Sequence, residues 1–251
     1  MRQEAMAAPG TNTVDPAEIA RFAALAKDWW DPDGKFRPLH RLNPLRLGFL
    51  RERLIGHFSR DSGSLRPFDG LRLLDIGCGG GLVAEPMARL GFTVTGIDAA
   101  AEIVLTARSH AEQAGLAIDY RATAAETLAA SGERFDVVLA MEIIEHVADL
   151  GAFLAAAAAL VRPGGAFVAA TLNRTAKSYL FAIVGAEYVL GWLPRGTHEW
   201  RKFVRPSELA AGLRRNGLRA RELAGVTYNP IADRWSLSRD LDVNYMVFAI
   251  R

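Results

Sequence analysis

The stretch Leu73-Leu74-Asp75-Ile76-Gly77-Cys78-Gly79-Gly80-Gly81 constrains the fold of this chain more than any other. It sits between an apolar run of strand length and a helical one. Glycines there permit positive φ and let main chain approach a ligand closely. The flanking pattern makes the context a βαβ unit. Leu71–Ile76 reads as a strand, Val83–Leu90 as a helix, Phe92–Ile97 as a second strand and Ala100–Ala114 as a second helix. Ala117–Arg121 and Phe135–Met141 follow as strands, Asp149–Val161 as a helix, and Ala166–Thr171 as a fifth strand after the turn Arg162-Pro163-Gly164-Gly165. Residues 173–204 interrupt the alternation, helix Pro206–Asn216 resumes it, and Glu222–Tyr228 and Val243–Ile250 can close the sheet as a pair. Strands alternating with helices of this length predict an α/β, doubly wound parallel sheet, with ligands at the carboxyl ends of its strands.

The sheet has a preface. Residues 1–14 read as disordered, and 15–60 as N-terminal helices. The first of these starts with Asp15 as N-cap and Pro16 at the first helical position, with Ile19, Phe22, Ala23, Ala26, Trp29 and Trp30 at helical spacing. A second helical region follows Asn43-Pro44 and runs to about Arg60. Residues 15–251 are then one domain, in a chain of 251 residues of which 50% are hydrophobic. With 30 Lys plus Arg against 28 Asp plus Glu, the charge gives no reason to expect a nucleic-acid partner. The single cysteine, Cys78, rules out an internal disulfide and reads as a small residue in a tight loop. No secretory leader and no apolar run of spanning length is visible, so a cytoplasmic location is expected.

Gly79, Gly81 and Ala84 also fit a dinucleotide fingerprint, which keeps an NAD(P)-dependent reductase open as an alternative. Asp75 points the other way. A carboxylate two residues before Gly77 suits a cationic aminoacyl ligand better than a pyrophosphate, which it would repel. Asp98 ends the second strand, where its carboxylate can accept two ribose hydroxyls.

LLDIGCGGG, GID and FDVVLAMEIIEHV resemble the successive motifs of class I S-adenosylmethionine methyltransferases. The resemblance implies a seven-stranded sheet with the last strand antiparallel. It implies that Gly77, Gly79 and Gly81 face the methionine part of S-adenosyl-L-methionine, that Asp98 holds the ribose, and that Met141 lies beside the cofactor. Three further stretches, DWWDPDGKFRPLHRLNPLR, TLNRTAKSYLFAIVGAEYVLGWLPRGTHEWRKFVRPSEL and VTYNP with DVNYM, are similar to the ubiquinone-biosynthesis O-methyltransferase family over about residues 15–250. Membership implies methylation of a phenolic hydroxyl on polyprenylated precursors, including 3-demethylubiquinol and 2-polyprenyl-6-hydroxyphenol. It also implies contact with other proteins of that pathway. Arg46 matches the family's cofactor-contacting arginine. Another small phenol as substrate is the nearest alternative.

A phenol titrates near ~10 and must lose its proton to be methylated. Glu142, Glu145 and His146 stand just past the fourth strand. On a helical turn, Glu142 shares a face with the other two. The three could hold Mg²⁺ with open positions for a catechol, as relatives of this family are described to do. Alternatively, His146 is a general base without metal, helped by Glu142, or the acidic pair only starts a helix. His198 is a second base candidate.

Ser178–Leu193, SYLFAIVGAEYVLGWL, has Glu187 as its one charge and Lys177 and Arg195 as flanks. It is too short to span a bilayer, but suits a lid or an interfacial membrane contact. This places the protein peripherally on the inner membrane, where a polyprenyl tail resides.

Overall fold

The computed structural model describes residues 13–23, 28–180, 199–229 and 232–251. Helix α1 spans Pro16–Ala23 and α2 spans Arg37–Phe58. Trp29 and Trp30, expected on the first, stand outside its described span. Asp28–Trp30 is a tight turn instead, and Asp31 and Gly34 close the next one. Thr13, in the segment expected to be disordered, is buried, and residues 1–12 of that segment lie outside the described residues. The second helix starts seven residues before Pro44, which lies inside it. One lost backbone hydrogen bond is outweighed by the burial of Phe49, Leu50 and Leu54 on the same helix.

Strand β1 (Arg72–Ile76) leads through the glycine loop to α3 (Ala84–Arg89), β2 (Thr93–Asp98), α4 (Ala101–Gln113) and β3 (Asp119–Ala122). A short helix, α5 (Ala125–Ala130), precedes β4 (Phe135–Met141), and α6 (Leu150–Leu160) precedes β5 (Val161–Leu172). The first of these helices escaped the sequence reading, because six residues carry too little periodicity. Asp149 caps α6 by accepting from Ala152 N at 3.0 Å. Strand β5 runs through the expected turn. Val161 pairs with Phe135 and Ala166 with Val137, so residues 162–165 bulge outward, with Gly164 in the left-handed region. The single turn α7 (Ala176–Ser178), then α8 (Pro206–Arg215), β6 (Arg219–Asn229), β7 (Arg234–Ser238) and β8 (Asn244–Ile250) complete the described chain.

The strands lie in the order β3-β2-β1-β4-β5-β8-β6-β7. Strands β1 to β5 are parallel, β8 is antiparallel to both of its neighbours, and β7 folds back on β6. The sheet therefore has eight described strands rather than seven. The additional one is an edge hairpin, formed because β6 is longer than Glu222–Tyr228 and its end pairs with Arg234–Ser238.

Alternation along the strands sorts side chains into two apolar layers. Leu73, Val137, Leu139 and Val168 face Phe49, Leu50, Leu54 and Met87 on one side. Leu74, Val138, Ala140 and Phe167 face Phe153, Leu160, Leu209 and Leu213 on the other. With both faces covered, the free ground for a ligand is the carboxyl edge. There β1 has β2 on one side and β4 on the other, and the chain order reverses.

Candidate active site

A pocket opens at that edge. Its floor is main chain. Ile97 O accepts from Gly77 N at 2.8 Å and from Cys78 N at 3.0 Å, which folds the loop over the end of β2. Gly77 has φ 69° and a Cβ there would stand 2.8 Å from Ile143 Cγ1, so no other residue fits without displacement. Asp98 is tied into the same turn. Its Oδ2 accepts from Gly79 N at 3.2 Å and its Oδ1 from Ala100 N at 3.0 Å. Burial raises the Asp98 carboxyl above its ordinary range, and those backbone donors pull the other way. Asp75, buried behind the loop, is pushed up to about 7, by burial first and by the Asp98 charge second, with Arg46 opposing. Burial also drives the Cys78 thiol well up, which leaves it inert and fits its expected role as loop filler.

The roof is side chain. Trp29, Phe36 and Leu39 line one wall, and Thr13, Val14, Asp15, Glu18 and Ile19 another. Ala148 N donates to Thr13 O at 2.8 Å, Thr13 Oγ1 donates to Glu126 Oε1, and Lys202 Nζ donates to Asp15 Oδ2 at 3.1 Å. The segment before α1 is thereby strapped across the strand ends. Arg46, on α2, is buried and also lines the pocket.

The segment after β4 departs most from expectation. Glu142 is not on a helical turn. Its φ is 57°, a left-handed conformation that is strained for a residue with a Cβ. Its main chain is held by Glu142 N donating to Ala170 O at 2.9 Å. Its Oε1 accepts from Arg46 Nη2 at 2.7 Å and from Asn244 Nδ2 at 3.0 Å. Burial acts to raise this carboxyl, but the Arg46 charge and the bonds from Asn244, Arg46 and Glu145 outweigh it and hold it low. Ile144–His146 is a 3₁₀ turn, which sends its two polar side chains to different places. Glu145 turns inward, 97% buried, and accepts from Thr171 Oγ1 at 2.7 Å. Burial and the neighbouring Glu142 charge keep it in the acid form well above the usual carboxylate range. His146 lines the pocket, with Nδ1 2.8 Å from Glu18 Oε2. Glu18 also pairs with Arg21. Burial works to raise its pKa, but the bond to His146 and the charges of His146, Arg21 and Lys202 lower it overall.

The three residues expected to hold Mg²⁺ have these partners in the structure. A hard dication needs ionised oxygens converging on one point. Glu142 accepts from Arg46 and Asn244, Glu145 accepts from Thr171, and His146 is turned to Glu18. Among the described residues no group of three His, Cys, Asp or Glu is arranged to hold a metal ion.

A sulfonium nucleoside fits better. Gly77, Asp98, Met141, Arg46 and His146 all face one cavity, the floor offers main chain without side chains, and a half-buried carboxylate stands at the end of β2. Arg46 Nε is buried with no acceptor among the described residues, one donor still to be satisfied. Gly79 and Gly81 do not line the cavity. Gly79 lies under Trp29 and Gly81 under the Tyr120 hydroxyl. The carboxylate that sequence reasoning missed is Glu18. Its one signal was a place in the first turn of a helix that begins at Pro16. His198 and residues 181–193 of the apolar insertion lie outside the described residues.

Residues 46–223 match the family model of a methyltransferase domain. The chain is 61% identical, over 96% of its length and 95% of the relative's, to a ubiquinone biosynthesis O-methyltransferase of Parvibaculum lavamentivorans. It is 60% identical to one of the same name from Brucella anthropi, over 95% and 96%. Among solved structures it is similar in fold to magnesium protoporphyrin IX methyltransferase from Synechocystis with bound SAH. There the TM-score is 0.65 and the identity 17%, covering 92% of this chain and 94% of that one. An S-adenosylmethionine-dependent methyltransferase from Clostridium acetobutylicum gives a TM-score of 0.59 at 12% identity, covering 92% and 98%.

Proposed function

Since this chain belongs to the ubiquinone biosynthesis O-methyltransferases, we propose that its pocket binds S-adenosyl-L-methionine along the floor and a polyprenylated phenol beneath the roof, with His146 as the base. Family membership makes it an S-adenosylmethionine-dependent O-methyltransferase and removes the nicotinamide reductase alternative. The observation that carries the division of labour is the meeting, in one cavity, of the Asp98 carboxylate and the His146–Glu18 pair.

The cofactor supplies an electrophilic methyl group on sulfonium sulfur. Asp98 accepts the ribose hydroxyls while the Gly79 and Ala100 amides hold its orientation. Gly77 provides the close main-chain approach, and Met141 closes the side. Arg46 offers its remaining donor to the cofactor carboxylate, and Glu142 orients Arg46 from behind rather than acting as a base. His146 takes the phenol proton, and Glu18 fixes the ring and stabilises the imidazolium that results. The roof excludes water, and much of the remaining rate comes from aligning oxygen, carbon and sulfur.

The membrane reading rests on the apolar insertion. No helix among the described residues is long and apolar enough to cross a membrane. Tyr179 and Leu180, at the start of the insertion, are 50% and 55% exposed, as an interfacial contact requires. A peripheral position on the inner membrane then delivers the ring while the tail stays in lipid.

The test is a methyl-transfer assay with labelled cofactor on a prenylated catechol. His146→Ala lowers kcat by about 10² or more with little change in cofactor affinity. An unchanged kcat removes the base assignment. Activity that disappears in EDTA and returns with Mg²⁺ removes the metal-free reading of Glu142 and Glu145. Equal turnover on short- and long-tailed catechols, with no flotation on liposomes, removes the membrane contact.

A further inference from the structure

The glycine loop carries a second partner besides the cofactor. Trp29 lies flat across it. A Cβ on Gly79 would stand 2.0 Å from Trp29 Cζ2, and one on Gly80 would stand 2.2 Å from Trp29 Cδ1. These two glycines are bare because an indole occupies the space above them. The indole is locked from several directions. Its ring centroid is 4.1 Å from that of Phe36, and its carbonyl meets His40 Nε2 at 2.9 Å. The neighbouring Trp30 donates from Nε1 to Gly80 O at 3.0 Å and stacks on His110 with centroids 3.5 Å apart and planes 5° from parallel. Trp29 is 92% buried, lines the pocket, and sits over Gly79, whose amide donates to Asp98. Yet its own Nε1–H has no acceptor among the described residues.

A buried indole N–H without an acceptor forfeits a hydrogen bond, so most buried tryptophans are found with one. With Arg46 Nε, it is one of two buried donors in the pocket lining that lack an acceptor among the described residues. We infer that Trp29 is a cofactor-binding residue, whose Nε1–H donates to an oxygen or nitrogen acceptor at the sugar end of the nucleoside while its ring walls that end against solvent. Trp30 does not share this role, because its N–H is spent on Gly80 O. The inference rests on the S-adenosylmethionine reading of the pocket and adds a specific residue to it.

The experiment measures S-adenosylhomocysteine binding by calorimetry on the full chain, with thermal unfolding of the ligand-free proteins alongside. Trp29→Phe keeps an aromatic wall and removes only the donor. It weakens binding about fivefold to tenfold, the range for one hydrogen bond to a neutral group, and leaves the ligand-free Tm close to wild type. Trp29→Phe binding within twofold of the parent overturns the inference while leaving the cofactor reading intact. A parent chain that does not bind the nucleoside removes both. If Trp29→Phe does not fold, the wild-type protein with ¹⁵N-labelled indoles decides the matter. The Trp29 Nε1–H resonance moves downfield and exchanges more slowly on adding ligand, and one that stays in place overturns the proposal.

Discussion

The floor and the roof of this pocket are built by different physics. The floor belongs to consecutive strand ends. Gly77, Cys78, Asp98 and Ala100 are fixed by bonds to main chain within the β1–β2 unit, and the sheet behind them is covered on both faces. The roof is assembled from segments far apart in sequence, by single side-chain contacts. Glu18 reaches His146 across 128 positions, Thr13 reaches Glu126 across 113, and Arg46 reaches Glu142 across 96. A floor of main chain keeps its geometry when one side chain changes, whereas a roof of side-chain pairs can be loosened one pair at a time. The difference assigns the sugar contact to the floor and completion of the base to the Glu18–His146 pair of the roof.

The comparison breaks most visibly at Asp98. Asp98→Asn keeps the shape but sets an amide where Gly79 N, Ala100 N and two sugar hydroxyls all need an acceptor. Losing two charge-assisted bonds at about 1.5–3 kcal/mol each weakens S-adenosylhomocysteine binding by about 100-fold or more. Calorimetry checks this, and a loss below threefold would show that the sugar lies elsewhere. The roof gives a smaller and different signal. Glu18→Gln leaves His146 a neutral partner, so kcat falls about tenfold while cofactor affinity stays within twofold. Were affinity to fall as far as it does for Asp98→Asn, the split between floor and roof would be wrong.

The same division explains what could be read from the chain alone. Floor residues stand at ends of strands whose apolar alternation is continuous, so the local pattern marks Gly77 and Asp98, the resemblance adds Met141, and all three line the pocket. Roof residues carry no such mark. Glu18 is one of many helix-surface acids until the fold brings His146 to it. Trp29 and Trp30 fit helical spacing, which suits a roof over the cofactor and core packing alike, and the turn at Asp28–Trp30 sets them over the glycine loop. Glu142, Glu145 and His146 looked like a ligand set because spacing by three and four implies a shared face only on an α-helix. A left-handed Glu142 followed by a 3₁₀ turn keeps Glu145 beside Glu142 but turns His146 away to Glu18. The edge strand β7 and helix α5 were missed for a simpler reason, since five or six residues give periodicity too little room.

The smallest effect tests whether the floor is poised at the expense of stability. Asp75 is ionised only above about 7 in the native protein, because burial, with Asp98 nearby, disfavours the charge. Unfolded, it titrates near its ordinary value of 3.8. Between these two values the native state holds a proton that the unfolded chain has released. Stability therefore falls as pH rises through that window, and the loss is complete above about 7. Asp98 and Glu145, both raised, tilt the curve the same way, and Asp75→Asn removes only its own share. The ligand-free variant should lose less Tm between pH 5 and pH 7.5 than the parent, by a few degrees in a chain of this length. If the two curves run parallel, Asp75 is ionised throughout, and the buried carboxyls of the floor draw on a partner other than Arg46. The sign separates this from ordinary damage. A merely disruptive substitution lowers Tm at every pH, whereas relief of a buried charge raises it more at pH 7.5 than at pH 5.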